Sequence, residues 1–175
     1  FIFFFCVTLG TILINNFIFQ SFTIVGSSME PTFKDGDKVI INRLPLTWAN
    51  LTNTKFTPKR GEIIVFENPQ FIEGMKDQYI IKRVIAFGGE KVKVEKGKLT
   101  VYNEKHPNGF NPDNNFNGEP KNYTNHDGEW TVPENEIFVS GDNREGNNSY
   151  DSRSGLGTVP LYKIVCPVAF RILPF

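Results

Sequence analysis

The chain has 175 residues and a mass of 19.9 kDa, which suits one compact domain with at most a small inserted subdomain. It carries 19 basic and 19 acidic residues, and its lysines are dispersed, so neither net charge nor a basic cluster points to nucleic acid, and we expect no such partner. The two cysteines, Cys6 and Cys166, lie near opposite ends in apolar sequence, which favours buried free thiols over a disulfide.

The chain begins with an apolar segment. Residues 1–29 contain no Asp, Glu, Lys, Arg or His, and residues 1–14 are almost wholly apolar. A membrane-spanning helix needs about 20 such residues, a length that this run reaches only if it continues upstream of Phe1. A secretory signal peptide and a buried core helix are the alternatives, but the basic flank and small-residue cleavage site of a signal peptide are missing. We predict a membrane anchor over residues 1–16, truncated at its N-terminus.

Two adjacent hydroxyls follow a predicted strand over residues 17–25. They belong to Ser27 and Ser28, between Gly26 and Met29. A serine is a poor nucleophile at neutral pH and needs a base, and no catalytic histidine suggests itself in the chain. The alternative is a polar turn between two strands, because Gly-Ser-Ser is common in turns.

The candidate base is Lys82, which lies in the predicted strand 79–87. Apolar residues on both sides predict a half-buried strand, and a lysine held there would be desolvated and could become neutral enough to accept a proton. Alternation places Lys82 and Arg83 on opposite faces, and if the face with Ile80 and Val84 is the buried one, we expect Lys82 to be buried and Arg83 to face solvent. The alternative is a lysine whose stem covers apolar neighbours while its amine stays in water.

The composition changes between residues 97 and 130, where Asn, Gly, Pro and charged residues dominate. We predict an inserted subdomain there, with its loops outside the core. His106 and His126 lie in this segment, but no further ligands at a recognisable spacing accompany them, so we expect surface histidines and no metal site.

Four blocks of the chain, in this order, carry a resemblance to a known family: SMEPT at 28–32, KRGEIIVF at 59–66, YIIKRVIAFGGEKV at 79–92 and GDNREGNNSYDSR at 141–153. With them the chain resembles bacterial type I signal peptidases, membrane-anchored serine proteases with a Ser/Lys dyad that remove signal peptides from exported proteins.

The resemblance implies a mainly β fold of antiparallel sheets after one N-terminal transmembrane helix. Residues 17–96 and 131–175 would form the catalytic domain, and 97–130 the inserted subdomain. It also implies a single-pass protein of the bacterial plasma membrane, with its catalytic domain on the extracytoplasmic side; a plastid or mitochondrial relative stays an alternative. Its partners would be the lipid bilayer and signal peptides with small residues at the first and third positions before the cut, and no cofactor is implied.

The same resemblance assigns catalytic roles. Ser28 directly precedes Met29 and matches the nucleophile, Lys82 matches the general base, and the backbone N–H of Ser28 would contribute to the oxyanion hole. Many Gram-negative members carry a serine at the position of Gly26, whose hydroxyl joins that hole. We therefore expect Gly26→Ser to raise the catalytic rate, unless the backbone at Gly26 has a positive φ that a serine would strain.

Supporting residues follow from the last block. By resemblance, Ser149 hydrogen-bonds the Lys82 amine, while Asp142 and an ion pair of Asp151 and Arg153 hold the loop. The family usually places two residues between the arginine of GDNR and the supporting serine, and here four intervene. We accommodate the two extra residues in the turn, because the spacing from Ser149 to Arg153 is kept.

Two other functions compete with this one. A self-cleaving repressor of the Ser/Lys type shares the core of the fold, but it predicts a DNA-binding domain and no apolar anchor. A membrane-tethered, β-rich binding module would make the two dyad residues incidental.

Overall fold

The computed structural model describes residues 2–115 and 123–172, and the side chains of all of these except 12–17 and 115. Parts of two predicted segments, residues 116–122 and 173–175, lie outside this description. The helices are α1 (Ile2–Phe17) and α2 (Leu44–Leu51). The strands are β1 (Phe19–Thr23), β2 (Lys38–Asn42), β3 (Ile63–Glu67), β4 (Tyr79–Phe87), β5 (Lys91–Glu95), β6 (Lys98–Asn103), β7 (His106–Phe110), β8 (Gly128–Thr131), β9 (Glu136–Ser140), β10 (Val159–Pro160) and β11 (Ile164–Ile172).

The N-terminal segment forms α1, a helix of 16 residues whose side chains are exposed near its start, among them Phe3, Phe4 and Phe5. At 1.5 Å per residue it is about 24 Å long, against about 30 Å for the hydrocarbon core of a bilayer. Within residues 2–115 and 123–172, no helix is long and apolar enough to cross a membrane. The predicted apolar helix is present, but the predicted membrane-spanning helix is not found.

The larger sheet has seven strands in the order β1-β2-β11-β3-β4-β9-β10, and all of its pairings are antiparallel. Strand β11 is long and irregular, so its first half pairs with β3 and its second half with β2. The sheet curves enough to bring edge strand β1 towards β4, where the rings of Phe22 and Tyr79 lie 5.6 Å apart. The prediction of a mainly β fold built from antiparallel sheets is confirmed.

The second sheet has four strands in the order β7-β6-β5-β8. It packs a buried apolar cluster, which includes Val92 and Val101, against Ile85 and Phe138 of the larger sheet. Its first strand, Lys91–Glu95, begins before residue 97, where we placed the start of the insertion. Within the segment 97–130, which we predicted as an inserted subdomain, lie β6 and β7, and Leu99 and Val101 of β6 belong to the buried cluster.

Both cysteines are free, as predicted, but only Cys166 is buried. Burial raises the pKa of the Cys166 thiol to about 11, which makes it an inert core group. Cys6 is exposed on α1, so the prediction that it is buried was wrong. The apolar residues beside it on α1, Phe5 and Val7, are exposed as well.

Candidate active site

The hydroxyl of Ser28 and the amine of Lys82 meet although they are 54 positions apart. Lys82 Nζ donates a hydrogen bond to Ser28 Oγ at 2.7 Å and another to the carbonyl oxygen of Ile81 at 2.8 Å. Ser28 lies in the turn between β1 and β2, and Met29 beside it is fully buried in an apolar cluster with Phe33. Met29 therefore anchors the turn that carries Ser28.

The amine of Lys82 is held away from water, since the residue is only 4% exposed. Burial lowers the pKa of Lys82 to about 8, and the nearby carboxylates of Asp151 and Asp142 oppose the shift. At pH 7 roughly a tenth of the amine is neutral, compared with well under a thousandth for an unperturbed lysine. The expectation of a desolvated Lys82 agrees with this geometry, which allows the amine to accept the Ser28 proton.

Arg83 is also buried, at 6% exposure, and the expectation that it faces solvent was wrong. Its guanidinium binds Asp142 through both carboxylate oxygens, with Nε to Oδ1 at 2.8 Å and Nη2 to Oδ2 at 2.5 Å, and it also donates to the carbonyl of Gly61. A bidentate partner offsets the cost of burying the guanidinium. Alternation along a strand cannot reveal such a partner, which comes from a loop 59 positions away.

The resemblance gave Asp142 the role of holding its own loop, but in the structure Asp142 also binds residues of two other segments. Besides Arg83 on β4, its carboxylate accepts a hydrogen bond from the hydroxyl of Thr32 in the turn that carries Ser28. The backbone of the next residue, Asn143, donates to the carbonyl of Ser28 at 3.1 Å. The loop after β9 therefore connects the nucleophile turn with the strand that carries the base.

Asp151 is fully buried and forms the expected ion pair with Arg153, at 2.7 Å between Oδ2 and Nη2. It also accepts hydrogen bonds from the backbone N–H of Gly141 and from the hydroxyl of Ser149. Burial alone would raise the pKa of Asp151, but Arg153 and these donors together hold it below its usual value. Asp151 is therefore a charged organising centre of the loop.

The structure gives Ser149 a different partner from the one that the resemblance implied. Its hydroxyl donates to Asp151 Oδ2 at 2.6 Å, whereas the Lys82 amine donates to Ser28 and Ile81. In the described part of the chain, Ser149 and Lys82 share no hydrogen bond. Since a buried carboxylate is a stronger acceptor than an amine lone pair, Asp151 holds the Ser149 hydroxyl.

The position directly before Asp142, Gly141, has no room for a side chain. A Cβ atom built on Gly141 would overlap both the hydroxyl of Ser149 and the backbone carbonyl of Ser28. The loop can therefore approach the nucleophile turn closely only with glycine at this position. A glycine directly before the acidic residue of the loop was the signal in the sequence that could have indicated this close approach.

Sequence reasoning also missed a buried ion pair between Arg144 and Asp113. Arg144 directs Nη2 and Nη1 to the Asp113 carboxylate at 2.9 and 3.2 Å, and its Nε donates to the carbonyl of Gly141 at 2.6 Å. Asp113 lies in the short 3-10 turn Pro112–Asn115 that follows the second sheet's strand β7. No motif in the sequence marks Asp113, because its partner is known only once the chain is folded.

The backbone around Ser28 indicates which groups could bind an oxyanion. Gly26 has a φ of +86°, and its N–H donates to the carboxylate of Asp35 at 2.7 Å. Across residues 2–115 and 123–172, the Ser28 N–H donates to no protein acceptor. The geometry therefore leaves the Ser28 N–H available to a bound group, and it gives Gly26 a conformational reason to be glycine.

A cleft of about 610 Å³ opens beside the dyad. One wall is the segment 22–28 and the other is the segment 76–82, with Asn147, Asn148 and Tyr150 also lining the cleft. Strand β1 is at the edge of its sheet, and β4 pairs with β9 only from Arg83 onwards, so both walls present strand edges. An extended peptide can add to such edges through main-chain hydrogen bonds.

Known proteins are similar to this chain along most of its length. A family model described as "Signal peptidase, peptidase S26" matches residues 1–173. A signal peptidase I of Bacillus amyloliquefaciens is 31% identical over 166 residues, which cover 94% of this chain and 81% of that protein. A signal peptidase IB of Staphylococcus aureus is 32% identical over 180 residues, covering 93% and 82% of the two chains. The crystal structure of a signal peptidase I from Enterococcus faecalis matches with 27% identity and a TM-score of 0.48, over 66% of this chain and all of that one.

Proposed function

We propose that this chain, which belongs to the peptidase S26 family of signal peptidases, cleaves signal peptides from exported preproteins with Ser28 as nucleophile and Lys82 as general base. The family makes it a serine endopeptidase. The observation that carries the dyad is the 2.7 Å hydrogen bond from Lys82 Nζ to Ser28 Oγ, made by an amine whose pKa burial lowers to about 8.

In the proposed reaction, the neutral amine of Lys82 takes the proton of Ser28 while Oγ attacks the scissile carbonyl carbon. The protonated amine then gives that proton to the nitrogen of the leaving peptide, and an acyl group remains on Ser28. Lys82 next accepts a proton from water as the water oxygen attacks the ester carbon. The protonated amine then returns this proton to Ser28 Oγ as the bond between Oγ and the acyl carbon breaks, which releases the signal peptide with a free carboxyl group and restores the dyad. The buried surroundings of Lys82 favour the neutral amine at the start of each half-reaction.

The Ser28 N–H is the proposed donor to the oxyanion that forms in both steps. Removing one such donor typically costs 2.7–4 kcal/mol of transition-state stabilisation, so its orientation matters to the rate. The contacts of Asn143 N and Asn143 Nδ2 with the carbonyls of Ser28 and Ser27 support this role, because they fix the peptide groups on either side of the Ser28 Cα atom.

The substrate is proposed to lie extended in the cleft between segments 22–28 and 76–82, paired to the strand edges. Family resemblance supplies the preference for small residues at the first and third positions before the cut. The cleft supports an extended peptide because Ser28 ends one wall and Lys82 ends the other, and the hydrogen bond between them lies where the two strand edges meet.

The bilayer is proposed to hold α1, with the catalytic domain on the extracytoplasmic side of a bacterial plasma membrane in a single-pass arrangement. The exposed apolar side chains of α1, including Ile2, Phe3 and Phe4, support association with lipid, because water would solvate them poorly.

A serine-directed acylating inhibitor tests the assignment of the nucleophile. The intact mass should increase by one acyl group, and peptide mapping should place that group on Ser28. The same mass increase in Ser28→Ala would overturn the assignment. Cleavage of a preprotein panel by the full chain in detergent then tests the substrate class.

A further inference from the structure

The cleft beside the dyad has two sides that differ in chemistry. Alternation along β4 directs Ile80 and Ile81 to opposite faces of the strand, and both residues line the cleft. Ile81 packs against the apolar cluster that contains Ile24 and Met29, whereas Ile80 belongs to the cluster that contains Leu156. An extended peptide between the two walls would therefore present its side chains alternately to these two sides.

The side of Ile81 is apolar. Ile24 in the opposite wall is 3% exposed, and the ring of Phe22 packs against the same cluster. This packed surface suits the small residues that the proposed function places at the first and third positions before the cut. The side chain at the second position would then point to the side of Ile80.

Tyr150 forms part of the wall on the side of Ile80. Its hydroxyl donates to Gln70 Oε1 at 2.6 Å, and Gln70 Nε2 donates to the carbonyl oxygens of Gly155 at 2.8 Å and Leu156 at 3.2 Å. These bonds fix which end of the Gln70 amide faces Tyr150, and they place Tyr150 beside the cluster of Ile80 and Leu156. The phenol ring is therefore a held surface of the cleft and not a freely rotating side chain.

Two asparagine side chains lie beside Tyr150 in the same wall. Asn147 and Asn148 are exposed and line the cleft, and they belong to the four residues between Arg144 and Ser149, two more than the family usually has. Asn148 Nδ2 donates to the carbonyl of Glu145 at 3.0 Å, which orients this amide. Among the described residues, none donates to Asn148 Oδ1 or binds the side chain of Asn147. The wall therefore offers amide donors and acceptors to a bound peptide.

We propose that Asn147, Asn148 and Tyr150 form a subsite for an uncharged carboxamide side chain, glutamine or asparagine, at the second position before the cut. This inference rests on the proposed function and adds a substrate preference to it. A carboxamide can accept from one asparagine amide and donate to the other, while its apolar stem lies against the Tyr150 ring. An apolar side chain of equal length would cover the ring but would leave the amide groups without a partner.

Two peptides that differ only in Gln or Met at the second position before the cut test this subsite. The two side chains have similar lengths, so the carboxamide is the main difference between them. For the full chain in detergent, kcat/KM should be about fivefold higher with Gln, mainly through a lower KM, which is the effect of one net hydrogen bond. Asn147→Ala should bring this ratio close to one. Asn108→Ala, at an exposed asparagine of β7 that does not line the cleft, is the matched control and should keep the parental ratio.

Two results of the cleavage assay would overturn the inference. Equal kcat/KM values for the Gln and Met peptides in the parent, or an unchanged ratio in Asn147→Ala, would show that these amides do not select the substrate. A preference for Gln at the first position after the cut, and none at the second position before it, would show that the subsite was assigned to the wrong residue of the peptide.

Peptide binding separates this inference from the proposed function. Ser28→Ala cannot form an acyl-enzyme but retains the cleft, so the dissociation constants of the same two peptides can be measured with it. The Gln peptide should bind about fivefold more tightly than the Met peptide. Equal dissociation constants would overturn the subsite whether or not the parent cleaves the peptides. If the parent cleaves no preprotein, the proposed function is wrong, and the ratio of the dissociation constants still decides the subsite.

Discussion

Arg144 and Asp113 form a buried, bidentate ion pair that joins the loop beside the dyad to the second sheet. The two side chains are 1% and 6% exposed, and the shorter contact measures 2.9 Å. Through Nε, Arg144 also binds the carbonyl of Gly141, the residue that packs against Ser28. The turn that follows β7 therefore supports, through Arg144, the loop that packs against the nucleophile.

The first prediction concerns Asp113. Asp113→Asn keeps the size of the side chain but leaves the guanidinium of Arg144 buried without its counter-charge, a change that typically costs about 3–5 kcal/mol of stability. We expect a lower melting temperature and a kcat at least tenfold lower per folded molecule, with KM little changed. Glu129→Gln is the control, because Glu129 pairs with Lys91 at an exposed site of the same sheet and such pairs contribute little. If Asp113→Asn has the same kcat as the parent at a temperature where the variant is folded, Asp113 contributes to stability and not to the geometry of the dyad.

The second prediction concerns the pH dependence of cleavage. With a Lys82 pKa of about 8, kcat/KM should rise about tenfold per pH unit below pH 8 and level off above it. Lys82→Met should abolish cleavage, because methionine keeps the apolar stem and removes the amine. A rate that stays flat from pH 6 to 9, or turnover by Lys82→Met, would contradict the role of Lys82 as base.

The same pKa predicts how stability changes with pH. Burial lowers the pKa of Lys82 from 10.5 to about 8, so between these values the unfolded chain binds more protons than the folded one. The free energy of unfolding therefore rises with pH between pH 8 and 10.5. Below pH 8, burying the charged amine of Lys82 lowers the free energy of unfolding by on the order of 3 kcal/mol. Urea unfolding should show Lys82→Met to be more stable than the parent at pH 7, with a smaller difference at pH 9.5. If the stability advantage of Lys82→Met over the parent grew with pH, the lowered pKa of Lys82 would be contradicted.

The third prediction concerns Gly141. Gly141→Ala would place a methyl group against the Ser28 carbonyl and the Ser149 hydroxyl, so the loop must retreat from the nucleophile turn. We expect kcat to fall by at least a hundredfold while inhibitor acylation of Ser28 slows in parallel. Gly157→Ala is a control for substitution in the same loop region, since no atom lies within 4 Å of its built Cβ; its positive φ will cost some stability. Similar kcat values for the two variants would contradict the close-packing argument.

The fourth prediction reverses the expectation of a faster Gly26→Ser enzyme. The φ of +86° at Gly26 strains any side chain by roughly 1–2 kcal/mol, although nothing lies within 4 Å of the built Cβ. We therefore expect Gly26→Ser to lose both rate and stability. Gly26→Ala carries the same strain without a hydroxyl and should lose as much of both. A Gly26→Ser enzyme faster than the parent would restore the oxyanion interpretation.

The fifth prediction separates Asp151 and Arg153 by the sign of their effects on Lys82. The Asp151 carboxylate raises the pKa of the Lys82 amine, whereas Arg153 lowers it. Asp151→Asn should shift the pH–rate profile to lower pH, and Arg153→Gln should shift it to higher pH. Both should also reduce thermal stability, because each leaves a buried partner without its counter-charge. Shifts in the same direction would show that loop disorder, and not charge, dominates.

Several features of this protein followed from the sequence alone. Adjacent hydroxyls after an apolar segment, and a lysine within an apolar strand, identified Ser28 and Lys82 as candidates, and the order of four blocks identified the family. The mainly β architecture followed from alternating apolar patterns, which depend only on the residues within each strand. These features could be predicted because each is encoded within a short stretch of chain.

The tertiary structure decided how distant groups share the buried space around the dyad. Arg83 is buried because Asp142, 59 positions away, offers both carboxylate oxygens, and Ser149 binds Asp151 and not Lys82. Asp113 became a partner of Arg144 only because the second sheet folds beside the loop. The free energy of burying a charge depends on which counter-charge lies within about 3 Å, and that distance is set by strand order and loop path, which no local pattern contains.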